Sequence, residues 1–270
     1  MNAAARIVAI VLLATTTAWA TAQTSSAAEP SALRVCLPSD DAPRSNRDQS
    51  AGLDVDVARL LARALSRPLQ LVWLPELGEI DEVSDFNFRP LLAEACDALL
   101  SVPGVEALGG YRQALKLSTP YYGAAYELIP ETAAWQWGEP APGTIAVMAN
   151  SVAHVAIDAA GLPWSMRPTT RDIAHAVATG EASIGLVWGP DLSELDDPRA
   201  TTFAPPPVLR WNQHVATRRD DPLLMDVNRV FGEPNFTAEI DAILEHHGVP
   251  AHAPFESVYS PEALRAIEPH

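Results

Sequence analysis

From Leu33 onward, short apolar runs alternate along the chain with segments in which apolar residues recur at helical spacing. The runs predict strands over residues 33–37, 69–74, 97–102, 121–129, 144–148, 183–187 and 213–217. The helical spacing predicts helices that begin at residues 53 and 151, and helices over 90–95, 171–179, 222–231 and 237–247. Asp54 and Asp56 fall in the first turn of the first helix, where the helix dipole favours acidic side chains. This alternation predicts a parallel sheet covered by helices.

Two breaks divide the alternating pattern. Residues 138–143 read Gly-Glu-Pro-Ala-Pro-Gly, and three consecutive prolines occupy residues 205–207. Because such segments form loops, we expect an α/β fold of two lobes joined by a double hinge. Residues 29–128 are expected to form the first part of lobe 1, and residues 129–211 lobe 2. Residues 212–270 are expected to return across the hinge and add C-terminal helices to lobe 1.

The first residues have the pattern of an export signal. Arg6 precedes an uncharged apolar stretch over residues 7–20, and small-x-small cleavage sites follow at residues 18–20, 20–22 and 26–28. The stretch is shorter than the roughly 20 residues that span a bilayer. We therefore expect residues 1–28 to be a signal peptide, with the cleavage site left open among the three, and the mature protein to reside in the periplasm.

The charge of the chain narrows the choice of partners. The formal net charge is −16, and no second long apolar run follows the signal. An acidic protein is repelled by phosphate backbones and by anionic lipid, so neither nucleic-acid binding nor membrane insertion is expected. The apolar fraction of 48% is typical of a packed globular protein.

The chain has two cysteines, Cys36 and Cys96. In the oxidising periplasm a disulfide between them would persist and would add ~3–4 kcal/mol by closing a long loop. The predicted strands, however, place the two residues near opposite ends of neighbouring strands, and a disulfide requires close Cα atoms. A disulfide and two buried free thiols therefore both remain open.

Motifs that carry catalysis are weak in this sequence. It has neither a Gly-x-Ser-x-Gly elbow nor a phosphate-binding glycine loop. His246, His247 and His252 lack the spacing of a metal site, and Asp40 and Asp41 are typical of solvated loop acids. We therefore expect a protein without catalytic residues, metal or cofactor.

Three segments in order resemble solute-binding proteins of family 3. Residues 51–58 (Ala-Gly-Leu-Asp-Val-Asp-Val-Ala), 96–100 (Cys-Asp-Ala-Leu-Leu) and 118–122 (Ser-Thr-Pro-Tyr-Tyr) match the motifs of that family in order and spacing. The resemblance covers essentially residues 33–250. It implies a two-lobe periplasmic-binding-protein fold, also called a Venus flytrap, with a double hinge.

Further segments resemble a narrower group within the family, the MxaJ/XoxJ type that accompanies PQQ-dependent methanol dehydrogenases. These segments are Val-Cys at 35–36, Ser-Asn at 45–46, Trp-Leu-Pro at 73–75, Val-Pro at 102–103, Trp-Gly-Pro at 188–190 and Gly-Val-Pro at 248–250. The resemblance implies a non-enzymatic accessory of a periplasmic PQQ-dependent alcohol or methanol dehydrogenase, which binds a partner or small ligand between its lobes. An ABC-importer receptor that delivers a small solute to a permease is the alternative. A dehydratase-type enzyme on the same scaffold is a third reading.

The sequence departs from the amino-acid receptors of family 3 at two places. Arg112, the nearest candidate for holding a ligand carboxylate, is one residue out of position, and Trp188 replaces the acid that would hold the ammonium. A buried charge without a partner is costly, so capture of an amino acid is disfavoured. An apolar ligand or a protein partner is favoured instead.

In α/β sheets, ligands bind outside the carboxyl ends of the strands. By that rule the cleft lining is expected to come from residues 39–46, 102–104, 121–122, 150–152 and 188–190. The candidate ligand-binding residues within these ranges are Ser45, Asn46, Val102, Pro103, Gly104, Tyr121, Tyr122, Asn150, Ser151, Trp188, Gly189 and Pro190. The two tyrosines cannot both face the cleft in one strand, because successive side chains alternate. Asn150 and Ser151 precede a helix, so they form either an anion site or an ordinary N-cap.

Overall fold

The computed structural model describes residues 30–74, 87–130, 132–195 and 203–267, and the predicted signal peptide lies outside this part of the chain. Its strands are β1 (Leu33–Pro38), β2 (Asp40–Asp41), β3 (Ser45–Asn46), β4 (Leu69–Leu74), β5 (Ala98–Val102), β6 (Leu115–Leu117), β7 (Tyr122–Ile129), β8 (Ile145–Met148), β9 (Trp164–Arg167), β10 (Ile184–Trp188) and β11 (Arg210–Arg218). Its helices are α1 (Leu53–Ala64), α2 (Arg89–Leu92), α3 (Val152–Ala159), α4 (Thr170–Ala178), α5 (Leu223–Phe231), α6 (Pro234–His246) and α7 (Pro261–Arg265). Within these ranges, no helix has the length and apolar character needed to cross a membrane.

The sheet consists of two halves with the same strand order. In the first half, β1 lies between β4 and β5 and pairs with both in parallel. In the second half, β8 lies between β9 and β10, again in parallel. Each half thus places its first strand between its second and third, and each ends on an antiparallel strand, β11 beside β5 and β7 beside β10.

Helices cover both faces of each half-sheet, as the apolar strands require. In the first half, Val35 points toward the core formed with α1, α5 and α6, while its neighbour Cys36 points toward the opposite core with α2. In the second half, Val147 packs on the side of α3 and Ala146 on the side of α4. We call these two layered units the first and second lobes.

The strands β7 and β11 connect the lobes. Residues 122–125 of β7 pair with residues 210–213 of β11, and residues 126–129 of β7 then pair with β10 of the second lobe. Beyond residue 213, β11 pairs with β5 and β6 of the first lobe. The predicted double crossing therefore consists of two antiparallel strands that lie side by side.

The chain crosses the hinge a third time near its C-terminus. After α6, His252 accepts a hydrogen bond from the backbone of Gly123 on β7, and the backbone of Tyr259 donates one to Arg210 on β11. The following helix α7 packs with Leu264 against the core of the second lobe. This placement differs from the expectation that residues 212–270 end in the first lobe. We call residues 249–260 the hinge strap.

Cys36 and Cys96 form a disulfide, with Cα atoms 5.7 Å apart. Of the two alternatives that the sequence left open, the structure therefore has the disulfide. Cys36 lies opposite Leu99 of β5, and Cys96 precedes that strand by two residues, so the two cysteines are offset along neighbouring strands and still come within bonding distance.

Candidate functional site

A cavity of about 900 Å³ lies between the lobes, within the size range of small-molecule sites. Both lobes and the crossing strands contribute to its walls. The polar and aromatic lining residues are Ser39, Asp40, Asp41, Arg44, Asp54, Asn87, Ser101, Glu106, Tyr126, Thr170, Trp188, Asp191, Trp211, Gln213 and Tyr259. The cavity is therefore a mixed polar and aromatic site at the junction of the lobes.

The loop between β1 and α1 carries Arg44 into the first-lobe wall. The carbonyl of Arg44 accepts a hydrogen bond from the backbone N–H of Asp54, at 2.9 Å, and so satisfies a free donor of the helix N-terminus. Gly52 allows this close approach, because a Cβ at this position would lie 2.4 Å from the Arg44 carbonyl oxygen and its φ is +127°. At the tip of the loop, Arg44 forms a 2.5 Å ion pair with Asp41.

Behind this wall, Asp54 is buried in a hydrogen-bonded cluster. Ser101 Oγ donates to Asp54 Oδ1 at 2.5 Å, and the Tyr121 hydroxyl accepts from the backbone N–H of Ser101 at 3.2 Å. Burial raises the pKa of Asp54 to about 6, although the Arg44 charge and the Ser101 hydrogen bond oppose the increase. This carboxyl group is thus anchored by the protein itself.

The second-lobe wall follows directly after β10. Trp188 ends that strand, and a short 3₁₀ helix over Gly189–Glu194 presents Asp191 to the cavity. Gly189 is needed where the helix touches β7, because a Cβ would lie 2.9 Å from the Ala125 carbonyl oxygen. The sequence Trp-Gly-Pro-Asp therefore turns sharply against the hinge and aims an acid at the cleft.

Burial raises the pKa of Asp191 to about 7. The positive charge of Arg44 opposes this increase, and the negative charges of Glu194 and Asp41 add to it. Among the residues that the structure describes, none forms an ion pair with Asp191. The carboxyl group of Asp191 thus lines the cavity without an ion-pair partner among the described residues.

Aromatic rings form one side of the cavity. The ring centroids of Trp188 and Trp211 are 5.2 Å apart, and Tyr126 lies 5.4 Å from Trp188 and 6.1 Å from Trp211. Tyr259 of the hinge strap stacks on Trp211 at 5.3 Å. The four rings come from β7, β10, β11 and the strap, so they join both lobes to the hinge.

Two buried polar atoms of the lining have no hydrogen-bond partner among the described residues. They are Oε1 of Gln213 on β11 and Oγ1 of Thr170 at the start of α4. Gln213 is 3% exposed and Thr170 is fully buried. A buried polar atom without a partner costs about 1–3 kcal/mol, so these two side chains are candidates for hydrogen bonds with a bound molecule.

Of the twelve expected cleft residues, two line the cavity, Pro103 and Trp188. The tyrosines Tyr121 and Tyr122 both lie in the core of the first lobe, where Tyr121 packs 5.4 Å from Phe231. Val102 is fully buried in the core around the disulfide. The remaining expected residues that stay outside the lining are Ser45, Asn46, Gly104, Asn150, Ser151, Gly189 and Pro190.

The residues outside the lining shape the backbone near the cleft. Ser45 donates to the Pro38 carbonyl, and Asn46 accepts from the backbone of Gln49 in a turn. Ser151 caps α3 by accepting from the backbone N–H of His154 at 3.1 Å, which is the N-cap alternative. Arg112, by contrast, pairs with Glu106 at the surface.

Of the charged residues of the cavity, Asp40, Asp41 and Arg44 lie in the expected range 39–46, whereas Asp54, Glu106 and Asp191 lie outside the expected ranges. Asp191 is one residue beyond the Trp-Gly-Pro segment, so widening that segment by one residue would have found it. Gln213 begins the strand predicted over 213–217, and the rule that selects the carboxyl ends of strands passed over it.

Two histidines of the C-terminal region have carboxylate partners, and His246 packs against the ring of His247. His247 Nε2 lies 2.9 Å from Asp56 and His252 Nε2 lies 2.6 Å from Glu127, a fully buried residue of β7. Within the described ranges, no group of three histidine, cysteine or acidic side chains is placed to hold a metal ion.

The two lobes, the paired crossing strands and the interlobe cavity define the fold of a type II periplasmic binding protein. Among solved structures, MxaJ from Methlophaga aminisulfidivorans superposes with a TM-score of 0.59 at 22% sequence identity, over 81% of this chain and 99% of that chain. The periplasmic binding protein XoxJ from Methylobacterium extorquens superposes with a TM-score of 0.55 at 19% identity, over 82% and 99%.

A substrate-binding domain from another protein has a similar fold. Substrate-binding domain 2 of GlnP from Lactococcus lactis, in an open conformation, superposes with a TM-score of 0.62 at 14% identity, over 80% of this chain and 94% of that chain. No family model and no curated protein sequence matches the chain. At these identities the likeness concerns the fold, and the neighbours are binding proteins.

Proposed function

We propose that this chain is a non-enzymatic periplasmic binding protein that closes its two lobes on a small ligand. The observation that carries the proposal is the cavity of about 900 Å³, to which both lobes and both crossing strands contribute side chains. A ligand that contacts both walls stabilises the closed arrangement because it binds that state more tightly. The structural neighbours, which are binding proteins, support the same role.

Three carboxyl groups of the cavity lining have a pKa raised by burial: Asp41, which pairs with Arg44, and Asp54 and Asp191, whose pKa values rise to about 6 and about 7. The non-enzymatic part of the proposal concerns Asp54 and Asp191. A dehydratase-type enzyme would use such a group as an acid or base. Asp54 is 2% exposed and its hydrogen bond goes to Ser101, so its immediate partner is the protein. Asp191 faces the opposite wall. Each group therefore has a binding or structural role in this proposal.

The biological role that we favour is an accessory of a periplasmic PQQ-dependent alcohol dehydrogenase system. The MxaJ/XoxJ-type segments of the sequence support this role. The superposition with this chain also extends over 99% of the MxaJ chain and 99% of the XoxJ chain. Delivery of a solute to an ABC permease is the second candidate. The ligand-sized cavity and the likeness to the GlnP domain support this second role.

A thermal-shift titration tests the binding role. The full chain is expressed, purified from the periplasm and freed of ligand by unfolding and refolding, and is then titrated with amines, organic acids, amino acids and alcohols. A ligand at a hundredfold excess over its dissociation constant adds ~2.7 kcal/mol, which raises the midpoint clearly. A flat response to every class, together with unchanged small-angle scattering, would refute capture of a small ligand.

Binding to the dehydrogenase separates the two roles. Titration of a PQQ-dependent alcohol dehydrogenase onto the immobilised protein is expected to show saturable association with a dissociation constant below about 10 μM, within the range of transient protein complexes. An unrelated acidic periplasmic protein serves as the control. Absence of association, with a clear small-molecule response, would assign the chain to solute delivery.

A further inference from the structure

The charges around the cavity are unbalanced in favour of acids. Its described acidic lining residues are Asp40, Asp41, Asp54, Glu106 and Asp191, and Arg44 is the one basic residue of that lining. Glu106 pairs with Arg112 and Asp41 pairs with Arg44, which leaves Asp40, Asp54 and Asp191 without an ion pair among the described residues. A bound molecule with a positive charge would reduce the repulsion among these carboxylates.

Arg44 is already engaged by the protein. It pairs with Asp41 at 2.5 Å and is attracted by Asp54 and Asp191 as well. Burial disfavours its charged form, but these three carboxylates outweigh burial and raise its pKa. A ligand carboxylate would have to compete with all three, so Arg44 does not provide an anion site.

Gln213 supplies an independent sign of a ligand. Its Oε1 atom is buried, belongs to a residue of the cavity lining and has no partner among the described residues. The Oε1 atom itself is covered by protein, and a half-turn of the amide exchanges it with Nε2, so the side chain can offer the cavity either an acceptor or a donor. With Oε1 turned to the cavity, Gln213 accepts from a donor such as the N–H of an ammonium group or a hydroxyl group.

The aromatic side of the cavity favours a cation among those donors. Trp188, Trp211 and Tyr126 lie within 6.1 Å of one another, and all three line the cavity. The face of an aromatic ring attracts a cation within about 6 Å, most strongly for tryptophan and when water is excluded. Alkyl groups beside the charge also pack well against these rings.

From the acids, the free acceptor and the aromatic rings, we infer that the cleft binds an organic ammonium ion that lacks a carboxylate, with Asp191 and Gln213 as its polar contacts. This inference rests on the proposed function and specifies the class of ligand. An amino acid is disfavoured because Arg44 is occupied. A quaternary ammonium is disfavoured because it has no N–H for Gln213 Oε1.

Isothermal titration of the periplasmically expressed full chain tests the ligand class directly. Methylammonium, propylammonium and 1,4-diaminobutane are compared with propanol, propionate, choline and alanine at pH 8. Saturable binding of at least one primary ammonium is expected, with choline, propanol, propionate and alanine weaker by about tenfold or more, the size of one lost charge-assisted hydrogen bond.

Variants assign the contacts. Asp191→Asn and Gln213→Leu are each expected to weaken ammonium binding by about tenfold or more. Asp241→Asn changes the net charge equally on the exposed face of α6 and is expected to leave binding unchanged. The inference is overturned if Asp191→Asn binds ammonium as the wild type does, or if no ammonium binds.

The pH dependence gives a further readout. The groups that face Asp191 are Arg44 and Asp41 of the first lobe, Glu194 of its own segment, and the tyrosines at 122 and 126. With a pKa of about 7, Asp191 is mostly protonated at pH 6 and mostly ionised at pH 8. Because the ammonium stays charged throughout, its affinity is expected to fall about tenfold from pH 8 to pH 6.

The outcomes distinguish the two proposals. Binding of propionate or propanol but of no ammonium overturns the ligand class and leaves the binding protein standing. A flat response to all compounds, in titration and in thermal shift, overturns both. Tighter binding of choline than of propylammonium removes Gln213 from the polar contacts and refutes the inference as stated.

Discussion

Replacement of Asp191 by asparagine is expected to stabilise the ligand-free protein at neutral pH. In the folded protein, burial raises the pKa of Asp191 to about 7, whereas the unfolded chain has the ordinary value of 3.8. At a pH between these two pKa values, Asp191 is protonated in the folded protein and ionised in the unfolded chain. Unfolding therefore releases a proton, and the free energy of unfolding falls as the pH rises from about 4 to about 7.

The magnitude follows from the two pKa values. The interval between 3.8 and about 7 corresponds to about 4 kcal/mol at 1.36 kcal/mol per pH unit. Asp191 lines an open cavity and is partly accessible, so water screens part of this cost. We therefore expect Asp191→Asn to gain about 1–2 kcal/mol relative to the wild type when the pH is raised from 4.5 to 8.

Urea unfolding followed by far-ultraviolet circular dichroism measures this effect. The free energies of unfolding of wild type and Asp191→Asn are measured at pH 4.5 and at pH 8. The change in their difference between the two pH values is the contribution of the residue 191 carboxyl group. Unchanged slopes against urea show that both proteins unfold from comparable states. Asp241→Asn, on the exposed face of α6, serves as the control for net charge.

The result that would refute this reasoning is a pH-independent difference. If Asp191→Asn differs from the wild type by the same free energy at both pH values, the carboxyl group is ionised in the folded protein throughout. In that case the positive charge of Arg44 compensates for its burial. If Asp191→Asn is more stable than the wild type and binds ammonium more weakly, the carboxyl group of Asp191 destabilises the free protein and contributes to binding.

Three further variants test the scaffold around the cavity. Gly52→Ala is expected to lose about 2–4 kcal/mol and to displace Arg44, because its φ is +127° and the new Cβ would meet backbone; thermal unfolding measures the loss. Replacing both Cys36 and Cys96 by alanine is expected to cost about 4 kcal/mol, since the disulfide spans 60 residues; an equal urea midpoint for oxidised wild type and variant would contradict this. Trp188→Ala is expected to weaken ligand binding by about tenfold in a folded protein, and unchanged titration would remove its ring from the site.

The lobes were predictable because their strands are buried on both faces. Residues 184–188 are apolar throughout and residues 98–102 are apolar except for Ser101, which is the pattern of a parallel sheet between helices. The missed strands β6 and β9 are short and mix polar with apolar residues, so they give no periodic signal. The hinge strap was missed for another reason. Hydrogen bonds to distant strands fix its position, and these contacts leave no pattern in the local sequence.

The site was less predictable than the fold because its chemistry depends on tertiary contacts. Asp54 fits the first turn of a helix, where an acid is expected to be solvated, yet the structure buries it against Ser101. Of the residues that the strand-end rule selected, Pro103 and Trp188 line the cavity. Tyr121 lies in the first-lobe core, where its hydroxyl accepts a hydrogen bond from the backbone of Ser101.

The hinge strap links the aromatic side of the cavity to the movement of the lobes. Phe255 exchanges hydrogen bonds with Asn212 of β11, and His252 contacts Glu127 and the backbone of β7. A rotation between the lobes must therefore bend the strap together with both crossing strands. Since Tyr259 of the strap stacks on Trp211, the same bending moves the rings that line the cavity. A ligand held between these rings and Asp191 thus acts on the hinge directly, without a separate element to relay its binding.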